Sequence, residues 1–176
     1  MHASKDFGAS DYSLVDYNRS GVPLLEIVTD HTRNPIRSTS EARDYLERVR
    51  QILRYIDVSE CIMEQGQLRC DVNISLRQKG SDRYGNRVEI KNMSSFRFIT
   101  EALDYEINRQ SETLRSGGEV AQETRLFDET KKVTVPMRSK EDAPDYRYFP
   151  DPDLLELRIP ESLVEEIRSA MPELPG

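Results

Sequence analysis

Residues 68–76 read Leu-Arg-Cys-Asp-Val-Asn-Ile-Ser-Leu, and their apolar and polar side chains alternate without a break. Successive side chains of a β-strand point to opposite faces, so the alternation predicts a strand with one core face and one polar face. Residues 87–91, Arg-Val-Glu-Ile-Lys, alternate in the same way. The two stretches are therefore predicted to form a hairpin, with a loop that is long for one.

Three helices are predicted around this hairpin. Residues 42–56 carry apolar side chains at helical spacing, and several N-cap candidates precede them at residues 38–41. A second helix begins at Ser94 or Ser95 and ends at the glycine pair 117–118. The last helix runs over residues 162–171 and stops at the prolines that follow.

The remaining strands complete the predicted fold. A smaller hairpin joins residues 122–127 to residues 133–137, and residues 22–29 are predicted to form a short apolar strand with one acid, Glu26, near its centre. The tyrosine- and proline-rich residues 143–153 are either a lid packed on the domain or a substrate-binding loop. Together these elements predict an α+β fold with a mainly antiparallel sheet.

Composition limits the classes of protein that the chain can represent. Its 176 residues are enough for one domain, and its hydrophobic fraction of 36% is enough for one core. No apolar run reaches membrane-spanning length, so no membrane partner is expected. The net charge of −7 argues against a nonspecific nucleic-acid binder but leaves open an enzyme that acts on the end of an RNA. Cys61 and Cys70 are not at a zinc or redox spacing, so we expect reduced thiols in the cytosol.

The polar face of the central hairpin is the strongest candidate site. If the hairpin pairs as predicted, side chains two apart along each strand share one surface. Carboxylates beside amide and cationic groups are what Mg²⁺ and a transferring phosphate require. The alternative is a solvated sheet face with cross-strand ion pairs. The residues concerned are Glu64, Arg69, Asp71, Asn73, Glu89 and Lys91.

Glu26 is a second candidate, because it interrupts an otherwise apolar stretch where an unpaired carboxylate is costly to bury. It either points outward from an amphipathic strand or serves as a metal ligand or buried acid. The two histidines, His2 and His31, support no catalytic triad, and no glycine-rich phosphate loop is present. If this domain handles ATP, it does so on a sheet surface.

Six stretches, in order along the chain, carry a resemblance to a known family. The sequence closely resembles the B subunits of the aspartyl/glutamyl-tRNA amidotransferases over nearly its whole length. The matching stretches are residues 13–28, 63–75, 88–96, 122–125, 137–141 and 145–154.

The resemblance implies a cradle-shaped catalytic domain akin to the glutamine synthetase fold, here over residues 1–158, followed by the start of a helical domain at residues 159–176. It implies that ATP and Mg²⁺ activate the side-chain carboxylate of Glu-tRNA(Gln) or Asp-tRNA(Asn) as an acyl phosphate. Ammonia from the amidase subunit then displaces phosphate, while a small third subunit holds the other two together. The expected protein is a cytoplasmic heterotrimer, or an organellar one if the source is eukaryotic.

The resemblance also assigns residues to the site. The acid of the Pro-Leu-Leu-Glu-Ile stretch is a metal ligand in the family and falls on Glu26, and the acid of Val-Glu-Ile-Lys-Asn falls on Glu89. Lys91 belongs to the same catalytic motif. Neighbouring motifs supply residues for ATP or substrate binding. These are Arg19, Glu64, Arg69, Asp71 and Asn73.

Two departures from the family pattern lead us to expect a fragment that cannot complete the metal site alone. Lys5 stands where the family has an acidic ligand, and the family's Glu-x-His motif has no counterpart. The chain also stops at Gly176, before the family's helical and tail domains. The alternative function is a noncatalytic module that assembles the complex or binds tRNA. A free-standing ligase acting on a small amine is disfavoured because the motifs are specific to the tRNA-linked family.

Overall fold

The computed structural model describes residues 17–18, 20–81, 83–137 and 152–175. The chain divides into two compact units, Met1–Pro35 and Ile36–Gly176.

The described part of the first unit contains turns but neither helix nor strand. The strand predicted at residues 22–29 is therefore wrong, and these residues are exposed. A strand needs a partner to complete its backbone hydrogen bonds, and none of the described residues of this unit pairs with it. Asp30 organises the turn that follows, because its Oδ1 accepts hydrogen bonds from the Thr32 backbone N–H at 2.9 Å and the Thr32 hydroxyl at 2.6 Å. Those hydrogen bonds lower the pKa of Asp30, and the bond from the Thr32 hydroxyl has the largest effect.

The second unit is built on a four-stranded sheet with the spatial order β1-β2-β3-β4. Its strands are β1 (Val72–Ile74), β2 (Val88–Lys91), β3 (Glu123–Asp128) and β4 (Val133–Pro136). Both predicted hairpins are confirmed, since β1–β2 and β3–β4 pair antiparallel. The central pair β2–β3 is parallel, so the sheet is mixed, a feature that was not predicted.

Strand β1 is shorter than the predicted 68–76 because only three of its residues have partners, from Val72 opposite Ile90 to Ile74 opposite Val88. The predicted alternation still holds beyond the paired residues. Even-numbered side chains from Leu68 to Ile74 are half-buried, and the odd-numbered ones between them are exposed. The pattern thus identified the inner and outer faces correctly. The length of the strand was set by the number of its residues that pair with β2.

All three predicted helices are confirmed as α1 (Thr39–Tyr55), α2 (Phe96–Arg115) and α3 (Glu161–Ala170), with a short 3₁₀ turn at Met63–Gln65. Serine side chains cap the first two. Ser38 accepts a hydrogen bond from the Glu41 backbone N–H, and Ser95 accepts one from the Phe98 backbone N–H. A serine oxygen at this position satisfies one of the free N–H groups of the first helical turn. Helix α2 is followed by Gly117, whose φ of +78° suits a helix terminus.

The core lies between one face of the sheet and helix α2, with α1 packed beside α2. Ile90 and Phe127 of the sheet are fully buried against Ile99 and Ala102 of α2. Because α2 lies in the connection between β2 and β3, it acts as the crossover that a parallel strand pair requires. The α+β class is confirmed. Among the described residues, no helix is both long and apolar enough to cross a bilayer.

Candidate functional site

The sheet has one core face and one open face, and the side chains of strand β2 alternate between them. Val88 and Ile90 have no exposed surface, while Glu89 and Lys91, which alternate with them, are directed to the opposite side and remain partly exposed. The period of two along a strand produces this separation. The open face therefore carries the polar side chains of the central hairpin.

A row of three polar residues crosses the open face. Asn73 of β1 lies opposite Glu89 of β2, which in turn lies opposite Thr124 of β3. The Thr124 hydroxyl donates a hydrogen bond of 2.9 Å to Glu89 Oε2. Three strands thus bring together side chains that are distant in sequence.

Lys91, two residues after Glu89 on β2, links Glu89 to Asp71. Its Nζ lies 3.4 Å from Glu89 Oε1 and 3.7 Å from Asp71 Oδ2. Each oxygen of Glu89 therefore has its own partner: Oε1 faces the ammonium and Oε2 faces the Thr124 hydroxyl. The cluster on the open face consists of Asp71, Asn73, Glu89, Lys91 and Thr124.

The charged groups of this cluster are accessible to a ligand. The side chains of Glu89, Lys91 and Asp71 are 29%, 37% and 41% exposed. Ion pairs this open to water contribute only about 0–1 kcal/mol to stability. The arrangement is consequently better suited to binding a charged ligand than to holding the sheet together.

The donor set of the cluster suits a magnesium–phosphate ligand. Mg²⁺ prefers oxygen ligands and is commonly held by one or two carboxylates together with waters and substrate phosphates. Glu89 and Asp71 supply two carboxylates, Asn73 supplies an amide oxygen beside them, and Lys91 supplies a cation for phosphate. Across the residues that the structure describes, no group of three or more His, Cys, Asp or Glu side chains is placed to hold a metal ion.

Among the described residues of the second unit, the predicted site residues Glu64 and Arg69 are not joined to this cluster. Glu64 lies in the 3₁₀ turn before β1, and both it and Arg69 are exposed. No hydrogen bond or ion pair among the described residues links either of them to Lys91. Glu26 belongs to the first unit, where it is exposed. Arg19, Lys5 and most of the loop at 143–153 lie outside the described residues.

The environment of Cys70 favours the protonated thiol. Burial, assisted by the neighbouring Asp71 charge, raises the pKa of the Cys70 thiol to about 11. The reactive form of cysteine is the thiolate, so this side chain is unreactive at neutral pH. Cys70 and Cys61 are both free thiols, as the sequence predicted.

A buried polar network lies on the reverse face of the sheet, and it was not predicted. Glu106 of α2 is fully buried and accepts hydrogen bonds from Arg109, through Nε and Nη2 at 2.9 Å each, and from Gln110 Nε2 at 2.9 Å. The Thr134 hydroxyl also donates to it, and Arg125 Nε lies 3.1 Å from its Oε1. Glu106 recurs at helical spacing with the buried Ile99 and Leu103, a signal that could have revealed it.

Burial and hydrogen bonding oppose each other at Glu106. Burial alone would raise the pKa of its carboxyl, but the hydrogen bonds from Arg109, Thr134 and Gln110 outweigh burial and lower that pKa. Burial likewise tends to lower the pKa of Arg109, yet its contacts with Glu106 raise it. The network is therefore charged at neutral pH and neutralised internally.

The chain that follows Lys91 is fastened to the β3–β4 hairpin. Asn92 adopts a left-handed conformation with φ of +68°, and its Nδ2 donates to the Phe127 carbonyl at 3.2 Å. Ser94 donates from both its backbone N–H, at 2.9 Å, and its hydroxyl, at 2.7 Å, to Glu129 Oε1. These contacts anchor the end of β2, which carries Lys91.

Comparison with known proteins gives a consistent result. Residues 1–165 match the family model described as the GatB/GatE catalytic domain. The chain is 56% identical to the B subunit of the aspartyl/glutamyl-tRNA(Asn/Gln) amidotransferase of Persephonella marina, over 99% of its own length and 37% of the relative's. The proteins of the same description from Carboxydothermus hydrogenoformans and Moorella thermoacetica are 53% and 55% identical, covering 97% and 93% of this chain and 35% and 34% of the relatives. The chain thus spans roughly a third of the length of these relatives.

Proposed function

The chain belongs to the GatB/GatE catalytic-domain family, and from this premise we propose that it takes part in ATP- and Mg²⁺-dependent amidation of Glu-tRNA(Gln) or Asp-tRNA(Asn). The names of the relatives support a role in a tRNA-dependent amidotransferase, a carbon–nitrogen ligase. The single observation that carries the proposal is the cluster around Glu89, in which one ammonium faces two accessible carboxylates.

The proposed reaction has two steps. An oxygen of the substrate's side-chain carboxylate attacks the γ-phosphorus of ATP, the bond from that phosphorus to the bridging oxygen breaks, and ADP leaves. Ammonia then attacks the carbon of the acyl phosphate, phosphate leaves with the electrons of the C–O bond, and loss of a proton gives the amide. The first step brings two anions together, so it requires positive charge between them.

The residues of the cluster match that requirement. Glu89 is the proposed acid of the cluster for Mg²⁺, which when bound neutralises phosphate charge. Glu26 is proposed as a metal-binding acid on the ground of its family motif alone. Lys91 supplies a second cation directed at the phosphates, in addition to its contacts with Glu89 and Asp71. Asp71 and Asn73 orient the ligand from the neighbouring strand, and Arg19, Glu64 and Arg69 are proposed to contact ATP or the substrate from the motifs that flank the cluster.

Proposed partners follow from the same premise. An amidase subunit would supply ammonia, and a small third subunit would hold the complex together. The substrate would be a misacylated tRNA, and the site of action the cytoplasm. The acidic open face holds metal and phosphate, so the tRNA body is expected to bind elsewhere.

The test uses the assembled amidotransferase with Glu89→Gln or Glu26→Gln. Phosphorylation of Glu-tRNA(Gln) by ATP is followed with ammonia withheld, and glutaminase activity is followed in parallel. We expect both variants to lose phosphorylation by at least about 100-fold, since metal-bound charge stabilises the transferring phosphoryl group, while basal glutaminase activity is retained.

The matched control is Glu47→Gln on α1, where the partly exposed Glu47 pairs with Arg43 and Arg50 of the same helix. This variant is expected to phosphorylate at the normal rate. Normal phosphorylation in both site variants would show that the acids are structural and would remove the basis of the proposal.

A further inference from the structure

Thr124 lies in the matching stretch 122–125, but the sequence assigned no role to it in the site. Its hydroxyl donates to Glu89 Oε2 at 2.9 Å from the adjacent parallel strand. We propose that Thr124 is a positioning residue that fixes the direction of the Glu89 carboxylate, so that Oε1 is left for Lys91 and for Mg²⁺·ATP. This inference rests on the proposed function of Glu89.

The Glu89 carboxylate needs such a partner because its other contact is not directional. Lys91 carries a compact point charge on a flexible stem, and it is shared between Glu89 and Asp71. An ammonium at 3.4 Å attracts the carboxylate but does not restrict the Glu89 side chain to one rotamer. A hydroxyl hydrogen bond is directional, and it occupies one of the two carboxylate oxygens.

Threonine is suited to this task by its side-chain stiffness. Two heavy atoms on Cβ restrict χ1 in a strand, so the hydroxyl direction is largely set by the backbone. Serine keeps the donor but loses part of that restriction, whereas valine keeps the shape and loses the donor. These two substitutions therefore separate the hydrogen bond from the packing.

The backbone of Thr124 is held from the reverse face of the sheet. Its neighbours Glu123 and Arg125 point to that face, where Arg125 Nη1 lies 2.7 Å from Glu123 Oε1 and Arg125 Nε pairs with the buried Glu106. A shift of β3 by one residue would turn these charges onto the open face and bury Thr124 instead. The Met137 backbone N–H also donates to the Thr124 carbonyl at 2.9 Å. The network behind the sheet thus keeps Thr124 in register with Glu89.

The experiment compares Thr124→Val, Thr124→Ser and the control Thr130→Val in the assembled amidotransferase. Thr130 is an exposed residue of the turn between β3 and β4 and lies outside the cluster. Calorimetry measures the affinity for Mg²⁺ in the presence of a non-hydrolysable ATP analogue, and single-turnover phosphorylation gives the rate. Thermal melting without nucleotide reports folding.

We expect Thr124→Val to weaken Mg²⁺ binding by about 10-fold and to slow phosphorylation by a similar factor, the usual cost of removing a group that orients a metal ligand. KM for the tRNA should not change. Thr124→Ser should stay within about threefold of the wild type, because it restores the donor. Thr130→Val should be unchanged in both measurements, and all variants should melt as the wild type does.

The outcomes separate the two proposals. Normal Mg²⁺ affinity in Thr124→Val, together with its loss in Glu89→Gln, would overturn the positioning role and leave the proposed function intact. Normal Mg²⁺ affinity in Glu89→Gln would overturn the proposed function itself. Equal impairment of the valine and serine variants would show that the hydroxyl is not the cause. Should Thr124→Val fail to fold, Thr124→Ala removes the same hydroxyl without the second methyl group and is subject to the same criteria.

Discussion

Arg125 Nε lies 3.1 Å from Glu106 Oε1, and this buried pair joins strand β3 to helix α2 on the face of the sheet opposite Glu89. The Arg125 side chain is 10% exposed, and that of Glu106 is not exposed at all. Thr134 completes the contact by donating its hydroxyl to Glu106 and accepting from Arg125 Nε at 2.7 Å. A charged network in the core therefore lies directly behind the candidate site.

Replacing Glu106 by glutamine should destabilise the fold by about 3 kcal/mol, because it leaves two arginines without their buried counter-charge. The expected observation is a lower urea midpoint with an unchanged denaturant dependence. Glu47→Gln, which removes an exposed helix pair, should change stability by less than about 1 kcal/mol. Equal effects of the two substitutions would show that the buried pair contributes no more than a surface pair.

The same network should make the free energy of unfolding decrease at low pH. The pKa of Glu106 is lowered in the folded chain, so its ionised form contributes stability above the ordinary glutamate pKa of about 4.3. That contribution is lost as the pH falls through the lower folded pKa.

Melting temperatures measured from pH 7 to pH 3 test this dependence. The difference between wild type and Glu106→Gln should be constant above about pH 5 and should narrow below it. A difference that stays constant down to pH 3 would mean that ionised Glu106 is not what stabilises the network.

Gly85→Ala should loosen the central hairpin, because a Cβ at this position would collide with the Leu76 carbonyl oxygen. The Gly85 backbone N–H donates to that same carbonyl at 3.1 Å, which closes the loop between β1 and β2. We expect faster amide hydrogen exchange in β1 and unchanged exchange in α2. In the control Gly80→Ala, the new Cβ meets no atom within 4 Å, although the φ of +89° adds local strain. Exchange in β1 should be unaffected there, and similar exchange in both variants would contradict the predicted collision.

Substitutions of Asn92 should destabilise the fold in a definite order, with glycine costing less than alanine. Asn92→Gly loses the hydrogen bond to the Phe127 carbonyl but tolerates the φ of +68°, so a loss of about 1 kcal/mol is expected. Asn92→Ala loses the bond and also strains the left-handed backbone, for a total of about 2 kcal/mol. Chemical denaturation of both variants provides the measurement. An alanine variant as stable as the glycine variant would show that the backbone conformation relaxes without cost.

Local patterns were sufficient for the helices and the hairpins. Ser38 and Ser95 cap helices where the sequence predicted N-termini, and the alternation from Leu68 onward identified the inner and outer faces of the first strand. These features depend on neighbours in the chain, so a short window contains the physical cause. The same reasoning failed at residues 22–29, where apolar composition indicated a strand but no partner within the described part of that unit completes one.

The candidate site was predicted only in part, because local spacing shows which side chains share a face of a strand but not which other contacts they make. Asp71, Asn73, Glu89 and Lys91 lie together because the hairpin pairs two alternating strands that are close in sequence. Glu64 and Arg69 were predicted to join them; both are exposed, but no hydrogen bond or ion pair among the described residues links them to Lys91. Glu106 was missed because a charged residue on an apolar helix face is normally assigned to solvent, and only its arginine partners make burial acceptable.

Residue type and local spacing were enough to predict the three helices, the two hairpins, the polar face of the central hairpin and the family motifs. The parallel pairing of β2 and β3, and the hydrogen bond from Thr124 to the carboxylate of Glu89, 35 residues earlier, are apparent only in the folded chain. Strands so far apart are aligned by the burial of Ile90 and Phe127 beneath α2 and by the Arg125–Glu106 pair behind them. No local period encodes that alignment, because it arises from the shared core that both strands cover.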